Sequence, residues 1–125
     1  MSKINIKSIL NNLTEKEIFN VETVGVLIDN KIKYIDNSVT VIIELKDNIV
    51  SLERITSEYH ICMEFDKNNI TNGKYEIKSL GNFDLRLETK ELNINNNEIF
   101  IKYSMFINDV KQDFEYKIMY EVRDL

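Results

Sequence analysis

From Val39 to Val122 the chain alternates apolar and polar residues almost without pause, and the pattern breaks only at clusters of Asn, Asp or Gly. A period of two places successive side chains on opposite faces of a pleated strand, whereas a helical face would repeat every 3.6 residues. Runs of this kind joined by short polar turns describe one meandering antiparallel sheet. The chain has no proline and three glycines, so little else interrupts it.

The clearest strands lie in the second half. Ile99, Ile101, Tyr103, Met105 and Ile107 form one face, and after Asn108-Asp109 the apolar face continues at Phe114, Tyr116, Ile118, Tyr120 and Val122. Phe83, Leu85, Leu87 and Thr89 alternate with Asp84, Arg86, Glu88 and Lys90, entered from Gly81-Asn82 and followed by Asn95-Asn96-Asn97. Upstream, Val39 to Leu45 and Val50 to Arg54 flank Asp47-Asn48, a two-residue hairpin signal. Tyr59, Ile61, Met63 and Phe65 alternate with His60, Cys62, Glu64 and Asp66, and a further strand contains Tyr75 and Ile77.

The first third is ambiguous. Ile6, Ile9, Leu10 and Leu13 keep helical spacing, while Ile4, Ile6 and Leu10 fit a strand interrupted at Ser8, so residues 3–17 are open to either reading. Thr14-Glu15-Lys16-Glu17 matches a helix capping box, but the β-branched Ile18, Val21, Thr23 and Val24 favour a strand. Gly25 inside that strand is expected to mark a bulge or bend.

About ten strands joined by short turns would leave an open sheet with two exposed edges and an uncovered apolar face, and closure removes both problems. The expected fold class is therefore all-β: a single closed antiparallel up-and-down barrel of about eight to ten strands, occupying residues 1–125 as one domain. The lack of long crossovers argues against a Greek-key sandwich.

Composition narrows the partners. The net charge is −5 with lysines scattered among acids, so no basic stripe is available for nucleic acid or an anionic membrane. Cys62 is the only cysteine, which excludes an internal disulfide and fits a reducing compartment. With no apolar leader after Met1 and no run long enough to span a bilayer, the expected location is the cytoplasm.

The order of short motifs resembles the YwiB-like family of uncharacterised bacterial proteins (domain of unknown function 1934). The resemblance runs from Ile4-Asn5-Ile6-Lys7-Ser8 through Glu22-Thr23-Val24-Gly25, Tyr34-Ile35, Arg54, Met63-Glu64-Phe65 and Tyr75. It continues through Gly81-Asn82-Phe83, Thr89, Ile101-Lys102-Tyr103 and Ile118-Met119-Tyr120. It implies a lipocalin-like, calycin-type barrel and carries no activity with it. Where the family tends to place a Tyr and an acid after the third strand, this chain has Asp36-Asn37-Ser38.

Among single residues, Arg54 stands out because it shares a face with Val50 and Leu52. If that face points inward, the guanidinium needs a carboxylate, such as Glu17 or Glu22, or a ligand anion. Tyr75, Tyr103 and Tyr120 join Arg54 as candidate ligand-binding residues, since a phenol combines an apolar wall with a polar tip. Phe100, Phe106 and Met119 interrupt the polar faces of the last two strands and are candidate interface residues for a partner or a second copy of the chain.

His60, Cys62 and Glu64 share one strand face. Strand geometry puts residues two apart at roughly 7 Å, too far for a hydrogen bond, and no fourth ligand is evident, so no metal, cofactor or catalytic residue is assigned. The expected function is non-catalytic binding of a small apolar or amphipathic ligand in the barrel lumen. The rival is a self-association or protein-interaction module with a filled barrel, and an enzyme is a third option without an identifiable acid–base pair.

Overall fold

The computed structural model describes residues 1–123. Ten strands follow in order: β1 (Ser2–Asn12), β2 (Glu17–Ile28), β3 (Lys31–Asp36), β4 (Val39–Lys46) and β5 (Ile49–Ile55), then β6 (Tyr59–Asp66), β7 (Thr71–Ile77), β8 (Gly81–Asn95), β9 (Glu98–Ile107) and β10 (Val110–Val122). Each pairs antiparallel with its neighbours, and β1 closes the barrel on β10 from Ile4 opposite Val122 to Asn12 opposite Phe114. The expected all-β closed up-and-down barrel is the fold observed.

Turn chemistry explains the registers. Asn37-Ser38 and Asn108-Asp109 place both central residues at positive φ, the arrangement that matches the twist of a two-residue hairpin. Asp29 and Asp47 also adopt positive φ, which short polar side chains tolerate. Residues 2–12 are strand, with Ser8 buried on the inward face. The capping-box residues form a turn instead of a helix: Asn12 Oδ1 accepts from the Thr14 and Glu15 amides at 3.1 and 2.9 Å, and the Thr14 hydroxyl accepts from the Asp113 amide at 2.8 Å.

The bulge is not at Gly25. Pairing of β2 with β1 runs without a shift from Leu27 to Glu17, and the irregularity lies at Thr89–Glu91 in β8. That extra residue changes the inward parity from Leu85 and Leu87 to Leu92, a switch visible in the sequence as the missing apolar residue at Glu91. Thr89 Oγ1, beside the bulge, is buried without a hydrogen-bond partner among the described residues.

Gly25 instead marks a parting of strands. Only Gly25–Ile28 of β2 pair with β3, so residues 17–24 are held by β1 alone. The second in-strand glycine behaves alike: β6 and β7 pair from Tyr59–Ile77 to Cys62–Lys74, and the ladder ends just before Gly73. An added β-carbon at Gly73 would collide with the Cys62 carbonyl oxygen. Each glycine thus permits a backbone approach that a side chain would block, and each borders a short seam.

Inward residues from all ten strands fill the centre, including Ile4, Ile6, Ile43, Phe65, Leu87, Ile101 and Ile118, all essentially inaccessible to solvent. Tyr103 stacks on Phe114 at 5.1 Å and packs against Phe65 at 4.6 Å. Such a centre is packed core and not a tunnel.

Candidate functional site

One barrel end carries the β1–β2, β3–β4, β5–β6, β7–β8 and β9–β10 turns. Beyond Gly25, where β2 leaves β3, this end opens into a cavity of about 550 Å³. Leu10, Val21, Val39 and Val41 form an apolar wall, Ser8, Asp36 and Arg54 bring polar groups, and Tyr34 and Tyr116 line it from deeper in the barrel. Ile18 and Phe19, on the part of β2 that β3 does not reach, overhang the opening with more than half their surface exposed.

Arg54 is placed as its alternation implies. Val50 and Leu52 on the same face are buried, and Arg54 follows them half-buried near the end of β5. Its cross-strand neighbours are Val41 and Ile61, both apolar. The suggested bridge to Glu22 does not form, since Glu22 pairs outside with Lys7 at 3.7 Å. Among the described residues Arg54 makes no ion pair.

Two buried phenols meet beside this cation. The Tyr34 and Tyr116 hydroxyls lie 3.4 Å apart in a buried hydrogen bond. Burial pushes the Tyr116 phenol well above its usual range, the neighbouring Tyr34 reinforces the rise, and Arg54 opposes it. Tyr103 is likewise raised by burial and opposed by Arg54. Tyr103 and Tyr116 stay protonated, so Tyr116 meets the cavity as a neutral hydrogen-bonding group.

The other candidate residues disperse. Tyr103 is core, stacked on Phe114 and tilted against Phe65. Tyr75 faces inward two strands from Arg54 but lines a separate rim hollow with Tyr59, its ring edge-on at 5.9 Å. Tyr120 lies at the opposite end of the barrel, where its hydroxyl donates to the Asn96 carbonyl at 3.3 Å. The structure does not gather these three in one cavity with Arg54, although Tyr103 lies near enough for the guanidinium to act on it. Tyr34, Tyr116, Ser8 and Asp36 take their places, and Tyr34 and Asp36 were detectable only as inward-parity residues of a short strand.

Phe100, Phe106 and Met119 are half-buried on the outer surface among charged neighbours. The Arg86 guanidinium covers the Phe106 ring at 4.2 Å, Phe100 pairs with Lys117, and Met119 pairs with Lys7 and Glu98. Phe100 and Phe106, six residues apart on one strand, are separated by roughly 20 Å. They do not form one continuous patch.

On the outside of β5 and β6 the expected separation of His60 and Cys62 does not hold. His60 Nε2 lies 3.2 Å from Cys62 Sγ and donates to Glu53 Oε2 at 2.8 Å, and Cys62 Sγ is 4.0 Å from the same carboxylate oxygen. The third member is Glu53, the direct cross-strand partner of Cys62, and not Glu64. Backbone spacing alone overstated the distance because the long imidazole leans along its strand towards the thiol.

A closed all-β barrel with an apolar centre and a cavity at one mouth is lipocalin-like in fold. More particularly, the chain belongs to the family described as domain of unknown function (DUF1934), whose model matches residues 4–118. The crystal structure of the ywiB protein from Bacillus subtilis is similar, with a TM-score of 0.67 and 18% identity, over 98% of this chain and 91% of that one. At that identity the likeness speaks for the fold alone. No match is found among curated proteins.

Proposed function

We propose that this protein binds a small amphipathic molecule with an acidic head group in the mouth cavity, without transforming it. The observation that carries this reading is Arg54: a half-buried guanidinium on an apolar face, without an ion-pair partner among the described residues, at the wall of a cavity of about 550 Å³. A cation so placed gains most from a ligand carboxylate or sulfonate, because desolvation strengthens a charge-assisted hydrogen bond. The wall of Leu10, Val21, Val39 and Val41 suits an apolar tail, and Asp36 at the rim disfavours a second anionic group. Outer faces bearing charge over an apolar interior reverse the polarity of membrane-spanning barrels and support a role in water.

Decanoate and decanol, titrated calorimetrically, separate head-group from tail recognition. Arg54→Gln should weaken decanoate by about 10- to 100-fold, corresponding to the roughly 1.5–3 kcal/mol of a charged hydrogen bond, and leave decanol unchanged. Absence of decanoate binding to the wild type, or equal affinity in the variant, would overturn the reading.

A second reading, self-association through the β2 edge, rests on the exposure of Ile18, Phe19 and Val24 along a segment that β3 leaves unpaired. Light scattering on the same samples distinguishes it: a dimer that Phe19→Asp dissolves favours the interface, and a monomer counts against it.

A further inference from the structure

We propose that Glu53, His60 and Cys62 form a binding site for a divalent zinc-class cation on the outer wall of the barrel. The three donor atoms, Oε2, Nε2 and Sγ, lie within 4.8 Å of one another, and their pairwise distances are 2.8, 3.2 and 4.0 Å. Zinc bonds of about 2.0–2.3 Å at tetrahedral angles require donors roughly 3.3–3.6 Å apart. The observed edges straddle that range, so rotating the Glu53 carboxylate and lengthening the His60–Cys62 edge by a few tenths of an ångström bring all three into it.

The ladder supplies the positions. Glu53 on β5 sits directly opposite Cys62 on β6, and His60 lies two residues before the thiol on the same face. A glutamate, an imidazole and a thiol combine hard, borderline and soft donors, a set that suits zinc or cobalt over magnesium or calcium. Three protein ligands leave a fourth position open, as in exchange-competent sites and unlike closed structural ones. Glu53 and Cys62 also line an outer groove of about 630 Å³ beneath Gly73, so that position faces solvent.

The surroundings favour a cation. On β7, Glu76 stands opposite His60 and Lys74 opposite Cys62, while Glu64 follows on β6 and Asp84 on β8 pairs with Lys74. Glu64, Glu76 and Asp84 outnumber the one lysine around the triad. Burial first, then Glu53 and Glu76, holds the thiol above its ordinary pKa, which makes Cys62 a poor free nucleophile and argues against a catalytic reading of the same residues. On binding, the metal forms a bond to sulfur as the thiol proton leaves to solvent, and His60 presents Nε2 by carrying its proton on Nδ1.

Untagged, reduced protein titrated with cobalt(II) tests the site by absorption, followed by competition with zinc against a chromogenic chelator. The expected result is one ion per chain and a sulfur-to-cobalt charge-transfer band. Cys62→Ser should abolish the band, and Cys62→Ser, His60→Gln and Glu53→Gln should each weaken zinc by about tenfold or more. Glu64→Gln, on the same face but outside the triad, should retain both. Circular dichroism establishes that each variant is folded. A folded wild type without the band, or zinc affinity unaffected by Cys62→Ser and Glu53→Gln, would overturn the proposal.

Discussion

Replacing Gly25 with alanine should destabilise the barrel by about 1–2 kcal/mol. The added β-carbon would lie 2.6 Å from the Lys33 carbonyl oxygen, 2.7 Å from Ile6 Cδ1 and 3.0 Å from Tyr34 Cβ. Ordinary contacts between carbons lie near 3.5–4.0 Å, about 1 Å further out. The Lys33 oxygen and Tyr34 Cβ belong to β3 and cannot swing aside without moving the strand. Ile6 can rotate its methyl, but it is fully buried in a filled core. Overpacking of this kind costs about 1–3 kcal/mol, and the stiffer unfolded chain returns about 0.4–1 kcal/mol. The net loss corresponds to a fall in Tm of roughly 4–8 °C for a chain of this size. Urea unfolding followed by circular dichroism should show a lower midpoint at an unchanged slope. Stability within about 0.5 kcal/mol of wild type, the range of an ordinary surface change, would mean that the β2–β3 seam is not held by close backbone approach.

Two further outcomes follow from buried polar groups. Thr89→Val keeps the shape of the side chain while removing a hydroxyl that has no partner, so the urea midpoint should rise by the equivalent of about 1 kcal/mol; a lower midpoint would indicate that the hydroxyl is satisfied. Burial raises the Tyr103 and Tyr116 phenols above their ordinary value of 10.0. Their neutral forms therefore contribute stability that is fully present below the unfolded pKa and is lost as pH rises from there towards the folded values. Phenolate absorbance should accordingly show Tyr103 and Tyr116 ionising late and together with unfolding; all six tyrosines titrating before unfolding would contradict their burial.

Much of the fold was legible because alternation is a local signal. Val50, Leu52 and Arg54 share a parity whatever their strand pairs with, so the inward placement of Arg54 follows from its position along the chain. The bulge could not be placed as readily. Gly25 is the residue type that bulges favour, yet the ladder shifts at Lys90, where a charged side chain turns outward and Leu92 takes over the core. Residues 3–17 were equally ambiguous by periodicity, because Ile9 and Leu13 mimic a helical face; pairing with β10 and β2 decided the matter.

Sites depend on non-local distance, which a sequence does not carry. Tyr103, Tyr75 and Tyr120 match the chemistry of a pocket wall, but barrel tilt and closure send them to the core, to a separate hollow and to the opposite end. Tyr34 and Tyr116, 82 positions apart, meet because the barrel curves β3 and β10 towards each other across its interior. Glu53 reached the His60–Cys62 pair for a similar reason, since only the β5–β6 register sets a carboxylate beside the thiol.

By itself the sequence determined that this chain is a meandering sheet with apolar residues on one side, because a two-residue period and polar turns act over a few residues. Tertiary structure alone decided where that sheet leaves space. Two glycines let strands approach and then part, and the partings became a mouth cavity at Arg54 and an outer groove at Cys62.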